Sequence, residues 1–382
     1  MSDADTPPEP DRAEGAPHPR NAPALIGQDT AGAAFLAAQD TGRLHHAWLI
    51  TGPPGVGKAT LAWRIARWLL ADAPTDAGPG LFGAADTTAD LSTDPHSPRN
   101  RRITALSDPG LFLLRRGWDD KARPPRLRQV ITVDEVRRMR GFFSMSVPDG
   151  GRRVVIVDDA DSLNNQAANA LLKLLEEPPA RTVFLLVLHM PSRLLPTIRS
   201  RCRTLPCAPL APDAVAAALA GLLPALGDDD RHALARLSGG SVGAALRLHM
   251  QDGLALAAAL DRLLGSLPGL DRMAAQALAA DLAVRGAEDR RALFLDLVDA
   301  RLAGLARQGA TGHASTPPVP AHLAPTPAAG RRWAAAQGGL TDRVRRGLAV
   351  NLDPHALILD MVLTLETVAA DCAAEGQNTR PA

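Results

Sequence analysis

Two short stretches of this chain hold residues whose types and spacing could handle a phosphate. The first, GPPGVGKAT at 52–60, is a glycine-rich run that ends in a lysine. Gly52, Gly55 and Gly57 permit backbone angles that let successive N–H groups converge on phosphate oxygens, and Lys58 can reach the β- and γ-phosphates. The second is DDAD at 158–161, which sets Asp158, Asp159 and Asp161 directly after an apolar run. At the carboxyl end of a strand in an open α/β sheet, such acids point where a metal-bound phosphate could sit. The chemistry would be that of an ATP or ADP site with Mg²⁺. One residue breaks the pattern. Ala59 stands where the motif expects a Ser or Thr whose hydroxyl ligates Mg²⁺. Thr60 lies about 100° further round a helix of roughly 3.6 residues per turn and is a poor substitute. Two readings stay open: a degenerate cradle that still holds nucleotide, or a strand–helix turn that binds nothing. The chain has three lysines (Lys58, Lys121, Lys173) against 39 arginines, so a lysine at this one position favours the cradle.

The elements that must position these residues are legible from periodicity. Ala47–Thr51 is a short strand that feeds the glycine run, and Lys58–Leu70 is an amphipathic helix with Leu61, Ile65 and Leu69 on one side. Val154–Val157 is too short for a helix and β-branched enough for a buried parallel strand. A helix follows, capped by Asn164, with Ala167, Ala170, Leu171, Leu174 and Leu175 as its apolar stripe, and Pro178-Pro179 stops it. Thr182–Leu188 is a second buried strand, and a short turn then ends at Ser200-Arg201-Cys202. Ala31–Gln39 and Val133–Phe143 read as helices and Leu111–Leu114 as a strand. Between the last two, Arg115 to Arg128 is basic and contains Trp118. It is either a solvated loop or a stretch that touches DNA phosphates.

The order strand–acids–helix–strand, with LLKLLEEPP at 171–179 and SRC at 200–202, closely resembles the AAA+ subunits of DNA polymerase clamp loaders. The resemblance covers roughly residues 24 to 250. It implies an α/β AAA+ P-loop domain, a parallel sheet with flanking helices, followed by a small helical lid domain and an all-helical C-terminal collar domain. It also implies a role for Arg201, the middle residue of SRC, as a finger that reaches in trans into a neighbouring subunit's ATP site. Asp158 is then the Mg²⁺-side carboxylate. The position of the water-activating Glu holds Asp159, shorter by one methylene, ~1.5 Å. Leu188 and His189 stand where a polar sensor is expected. Gly243 stands where motor subunits carry an arginine that senses the γ-phosphate. With Ala59, these departures imply a stator that does not turn over ATP itself. The partners implied are tau/gamma and delta subunits in a hetero-pentamer, with the sliding clamp and primer-template DNA met through the complex. An active motor of the tau/gamma type is the alternative, if Thr60 and Asp159 suffice. A P-loop enzyme such as a nucleotide kinase would need a substrate-binding arginine set and a lid, where this chain has a helical tail and SRC.

Composition bounds the rest. A length of 382 residues suits two or three domains, and a formal net charge of +1 gives no global basic surface. The expected boundaries are a disordered tail at 1–23, the AAA+ domain at 24–207 with a mobile insertion at 72–102, a helical lid at 208–250 and a helical collar at 251–382. A Pro- and Ala-rich loop interrupts the collar at 309–330. Three cysteines without paired spacing suit a reduced cytoplasmic protein, and Cys202 and Cys207 lack the second pair of a structural zinc site, so no metal site is expected. No run of 18 apolar residues suggests a membrane partner.

Overall fold

The computed structural model describes residues 9–13, 15–40, 44–71, 90–119, 122, 126–145, 151–315 and 317–378. The chain forms two compact units, residues 1–225 with 239–244, and residues 226–238 with 245–382. The first unit is built on strands β1 (Ala47–Thr51), β2 (Leu111–Arg115), β3 (Trp118–Asp119), β4 (Arg126–Leu127), β5 (Arg153–Asp158), β6 (Thr182–Leu188) and β7 (Arg203–Pro206). Five of them form a sheet in the order β2-β5-β6-β1-β7, and every pairing in it is parallel. The other two, β3 and β4, form a small antiparallel ladder.

Side chains alternate between the two faces of a strand, and here both faces are covered. Trp48, Ile50, Val154, Ile156, Val183, Leu185 and Val187 pack with α1 (Asp29–Asp40) and α2 (Lys58–Leu70) in one core layer. Ala47, Leu49, Val155, Val157, Phe184, Leu186 and Leu188 pack with α4 (Val133–Ser144) and α5 (Asn165–Glu176) in the other. That is why these strands read as continuous apolar runs and not as alternating ones. Helices α4 and α5 start where a cap satisfies free N–H groups. Thr132 and Glu135 form a capping box for α4, and Asn164 Oδ1 accepts from Ala167 N at 2.8 Å for α5. Within α5, Ala167, Leu171 and Leu175 are buried, whereas Ala170 and Leu174 of the expected stripe are only partly so. The register pairs Thr51 with Leu188 and Arg115 with Asp158, so the ends of these strands lie along one edge of the sheet.

Two expectations about disorder need correction. Residues 9–13 and 15–23, within the stretch read as a disordered tail, are folded onto the first unit. Pro19–Asn21 is a 3-10 turn, and His18 is buried. Ion pairs and one ring contact hold the segment, and neither has a periodicity that sequence reading can detect. Of the insertion read as mobile, residues 72–89 lie outside the described residues. The remainder is ordered: Leu91 is buried, and α3 (Pro98–Thr104) starts at Ser97, whose side chain accepts from Asn100 N.

The first unit also includes α6 (Pro196–Arg199) and α7 (Pro212–Leu222), and the second is helical: α8 (Asp228–Leu237), α10 (Gly253–Ser266), α11 (Arg272–Ala283), α12 (Glu288–Thr311), α13 (Pro327–Gln337), α14 (Leu340–Ala349) and α15 (Pro354–Asn378). Helix α9 (Val242–Met250) begins in the first unit and runs on into the second. Here the loop expected at 309–330 is wrong at both ends. Gly309 and Gly330 lie inside α12 and α13, and a Cβ on Gly309 would stand 2.6 Å from Gly330 Cα. Glycines that read as breakers are the point where two helices touch backbone to backbone.

Candidate functional site

The glycine run connects β1 to α2 as its spacing requires. Gly52 has φ 148°, and a Cβ there would meet the Cys207 carbonyl oxygen at 2.3 Å, because Cys207 N donates to Thr51 O beside it. Gly55, at φ 73°, is closed in from outside. A Cβ on it would lie 2.4 Å from Ser241 Oγ and 2.9 Å from Gly243 Cα. Ser241 Oγ donates to Pro54 O at 2.8 Å, and Gly243 N donates to Gly55 O at 3.2 Å. The tip of the loop is thus stapled to the segment that opens α9. Gly57 completes the turn at φ 100° as the N-cap of α2.

Lys58 is only 3% exposed, and its Nζ donates to Gly52 O at 2.7 Å and Pro53 O at 2.5 Å. Burial pushes it down to about 8, although Cys207, Asp158, Asp161 and Asp159 pull it back up. Ala59 packs against the α1–α2 core and offers no oxygen. Thr60 is the next residue along the helix, half-buried, one step off the position of Ala59. Asp158, at the end of β5, is buried, and its carboxyl is pushed up to about 8. Burial is the main cause, followed by the charges of Asp11 and Asp159, against the pull of Lys58 and Arg115.

The other two acids have protein partners. Asp159 lies 3.6 Å from His189 Nε2. Asp161 accepts from His189 N at 2.5 Å and Met190 N at 2.8 Å, so it ties the end of β6 to the acid loop. Asp159, Asp161 and His189 bring one ligand atom each within 4.8 Å of one another, the only such group among the described residues. Sequence reading noted His189 only as a missing sensor. It missed the N-terminal segment altogether. There Asp11, with a side chain 1% exposed, lies 2.5 Å from Arg115 Nη1 and 2.9 Å from His18 Nε2. Glu9 pairs with Arg20 at 2.6 Å and Arg115 at 3.2 Å, and His18 meets the Trp63 ring of α2 edge-on. Burial alone would push Asp11 up; the hydrogen bond and charge of His18, with those of Arg115, outweigh it and hold the carboxyl low.

The same contacts answer the question of the basic stretch. Arg115 is neutralised by Glu9 and Asp11, Arg116 donates to Pro10 O at 3.2 Å, and Arg128 pairs with Glu135 at 3.2 Å. Lys121 and Arg123 lie outside the described residues. Arg126 stays exposed, so Arg115 and Arg128 are the described charges here that carboxylates within the chain neutralise.

Arg201 is placed differently from all these residues. Ser200 Oγ donates to Thr197 O at 3.0 Å and closes the turn after α6. Cys202 packs into the α4–α5 core layer, and burial pushes its thiol up to about 12. Between them Arg201 is left on the surface with its side chain 38% exposed. Its Nη2 lies 2.9 Å from Glu176 Oε1 and its Nη1 donates to Thr197 O at 3.0 Å. Serine ties, cysteine anchors, and arginine is presented.

A parallel sheet in this strand order, a glycine loop between β1 and α2, and acids at the end of β5 define a P-loop α/β domain of the AAA+ class. Residues 27–211 match the family described as DNA polymerase III, delta subunit. The chain is 42% identical over 209 residues to the DNA polymerase III subunit delta' of Pseudomonas aeruginosa and 36% identical over 218 residues to that of Escherichia coli. These alignments cover 54% and 57% of this chain and 56% and 58% of the relatives. A DNA polymerase III subunit gamma/tau of Mycobacterium tuberculosis is 33% identical over 51% of this chain and 30% of its own length. The chain thus spans just over half the length of the delta' relatives it matches. Over this stretch the chain is similar to the delta' subunits of DNA polymerase III.

Proposed function

We propose that the chain is a non-hydrolysing stator of a DNA polymerase III clamp loader, working in the cytoplasm. In this reading it presents Arg201 in trans to the ATP site of a neighbouring tau/gamma-type subunit. The partners are tau/gamma and delta subunits in a hetero-pentamer, which loads a sliding clamp onto primer-template DNA. The observation that carries the proposal is the contrast between its two arginine- and lysine-bearing turns. Lys58 is spent on the carbonyls of its own loop, beside an Ala59 with no hydroxyl and a buried Asp158. Arg201 is presented at the surface. The residues present do not fit a hydrolytic Mg²⁺–ATP site. Any nucleotide held by the remaining cradle of Gly52, Gly55, Gly57 and Lys58 is not turned over. Among the described residues no helix is long and apolar enough to cross a membrane.

A guanidinium inserted beside a γ-phosphoryl group stabilises charge that develops in the transition state, and a trans arginine of this kind is worth roughly 10³ to 10⁵ in rate. In a reconstituted complex, Arg201→Ala should leave assembly intact but abolish most DNA- and clamp-stimulated hydrolysis at the adjacent site, read by single-turnover ATP cleavage. Arg201→Lys should rescue poorly, because a point charge lacks the planar fork. Unchanged hydrolysis by the Arg201→Ala complex would make the chain a scaffold only. Steady-state ATP hydrolysis by the purified chain alone would instead favour a motor of the tau/gamma type.

A further inference from the structure

Three arginines crowd the turn before β7, and the structure gives each a different partner. Arg199 Nη1 donates to Pro191 O at 3.3 Å, a backbone contact on the surface. Arg203 lies over the Trp48 ring, 5.3 Å from its centroid, and so covers the edge of the sheet. Arg201 alone of the three is paired with a carboxylate, that of Glu176.

We propose that Glu176 is the positioning residue for Arg201; the inference rests on the stator reading above. Glu176 is the last residue of α5, a helix fixed at its start by the Asn164 cap and along its length by buried Leu171 and Leu175. Its carboxylate therefore comes from a rigid element, the arrangement that holds a functional group most closely. It takes one N–H of Nη2 while Thr197 O takes one of Nη1, so the guanidinium is gripped from one side by α5 and from the other by α6. Guanidinium has five N–H donors. The second N–H of Nη1 faces Ser200 Oγ at 3.5 Å, and the Nε–H and one N–H of Nη2 are left for phosphoryl oxygens.

A long arginine side chain carries about 2 kcal/mol of rotamer entropy. A finger that acts in trans gains if that freedom is removed before the partner arrives. The opposite effect must be weighed, since a carboxylate beside the finger also screens its charge. Both groups are more than a third exposed, where an ion pair is worth roughly 0–1 kcal/mol. Misplacement by about 1 Å can cost on the order of 10² in rate. Positioning outweighs screening.

The two effects predict opposite signs, and the assembled complex separates them. Glu176→Ala should lower kcat for DNA- and clamp-stimulated ATP hydrolysis roughly 3- to 5-fold with KM for ATP unchanged. Glu176→Gln keeps an acceptor at the same reach and should stay within about 2-fold of the unmodified rate. In an Arg201→Ala background, Glu176→Ala should add nothing, since there is no guanidinium left to place. Assembly and thermal melting should be unmoved, because Glu176 is exposed. A rate that rises or stays level with Glu176→Ala would overturn the inference while leaving the role of Arg201 intact, as would an equal loss in the Arg201→Ala background. If Arg201→Ala by itself leaves the rate unchanged, the stator reading fails and this inference falls with it.

Discussion

The turn after β1 and the turn before β7 belong to the same unit, and each carries one cation that its motif singles out. They dispose of that cation in opposite ways. At the first, Lys58 is buried under its own loop, Gly55 is stapled by Ser241 and Gly243, and the acids nearby are either buried or paired with His189 and backbone N–H groups. At the second, Arg201 keeps two donors and more than a third of its surface, with a tether behind it. A polar group can serve a ligand only if the fold has not already satisfied it. On the proposed reading the glycine loop serves as scaffold, and the arginine turn is the part offered to a partner.

The comparison breaks most readily at the strap of residues 9–22. If the first turn is scaffold, the charges around it should matter to stability. Arg115→Ala leaves the buried carboxylate of Asp11 with His18 as its only remaining ion-pair partner among the described residues. Removing one member of a buried pair strands the other, so a loss of about 2–3 kcal/mol is expected from urea unfolding midpoints. The pH dependence has a definite sign. Asp11 is held below its ordinary value when folded, so its contribution is present above that ordinary value and fades as pH falls through the lowered one. A midpoint unmoved by Arg115→Ala would show that the strap does not hold the unit together.

A smaller effect is expected at the staple itself. Gly55→Ala puts a Cβ 2.4 Å from Ser241 Oγ on a backbone of φ 73°. It should destabilise by about 1–3 kcal/mol, read from the same unfolding curves. A loop that is free to open for nucleotide would tolerate that methyl, and an unchanged stability would return the site to the nucleotide-binding class.

Asp158→Asn sharpens the contrast in the opposite direction. The raised value of Asp158 means the folded state holds a proton that the unfolded chain releases from about pH 4 upward, so this residue costs stability increasingly as pH rises towards about 8. Asn should therefore raise Tm at pH 8, by a few degrees for a domain of this size, and change it little at pH 4. An equal Tm change at pH 8 and pH 4 would show that burial does not raise the Asp158 carboxyl. The smallest effect belongs to Arg199→Ala, whose only contact is a surface carbonyl. Stability within about 0.5 kcal/mol and unchanged hydrolysis by the complex are expected. A loss like that of Arg201→Ala would mean the turn acts through charge in general and not through one placed guanidinium.

What the sequence determined by itself is what depends on neighbours along the chain. Strands β1 and β6 and helix α2 start and stop where periodicity, caps and prolines put them, because a strand buried on both faces and an amphipathic helix each leave a local pattern. The missing hydroxyl at Ala59, the short Asp159 and the SRC box were equally plain. Tertiary structure alone decided the rest, since each remaining feature joins residues far apart in sequence. Asp11 meets Arg115 across 104 positions, Ser241 meets Pro54 across 187, and Gly309 meets Gly330 where two helices touch. Even the partner of Arg201, Glu176 at the far end of α5, was in view only as two letters of LLKLLEEPP. Nothing local distinguishes a free charge from a satisfied one; only the fold brings the second charge to it.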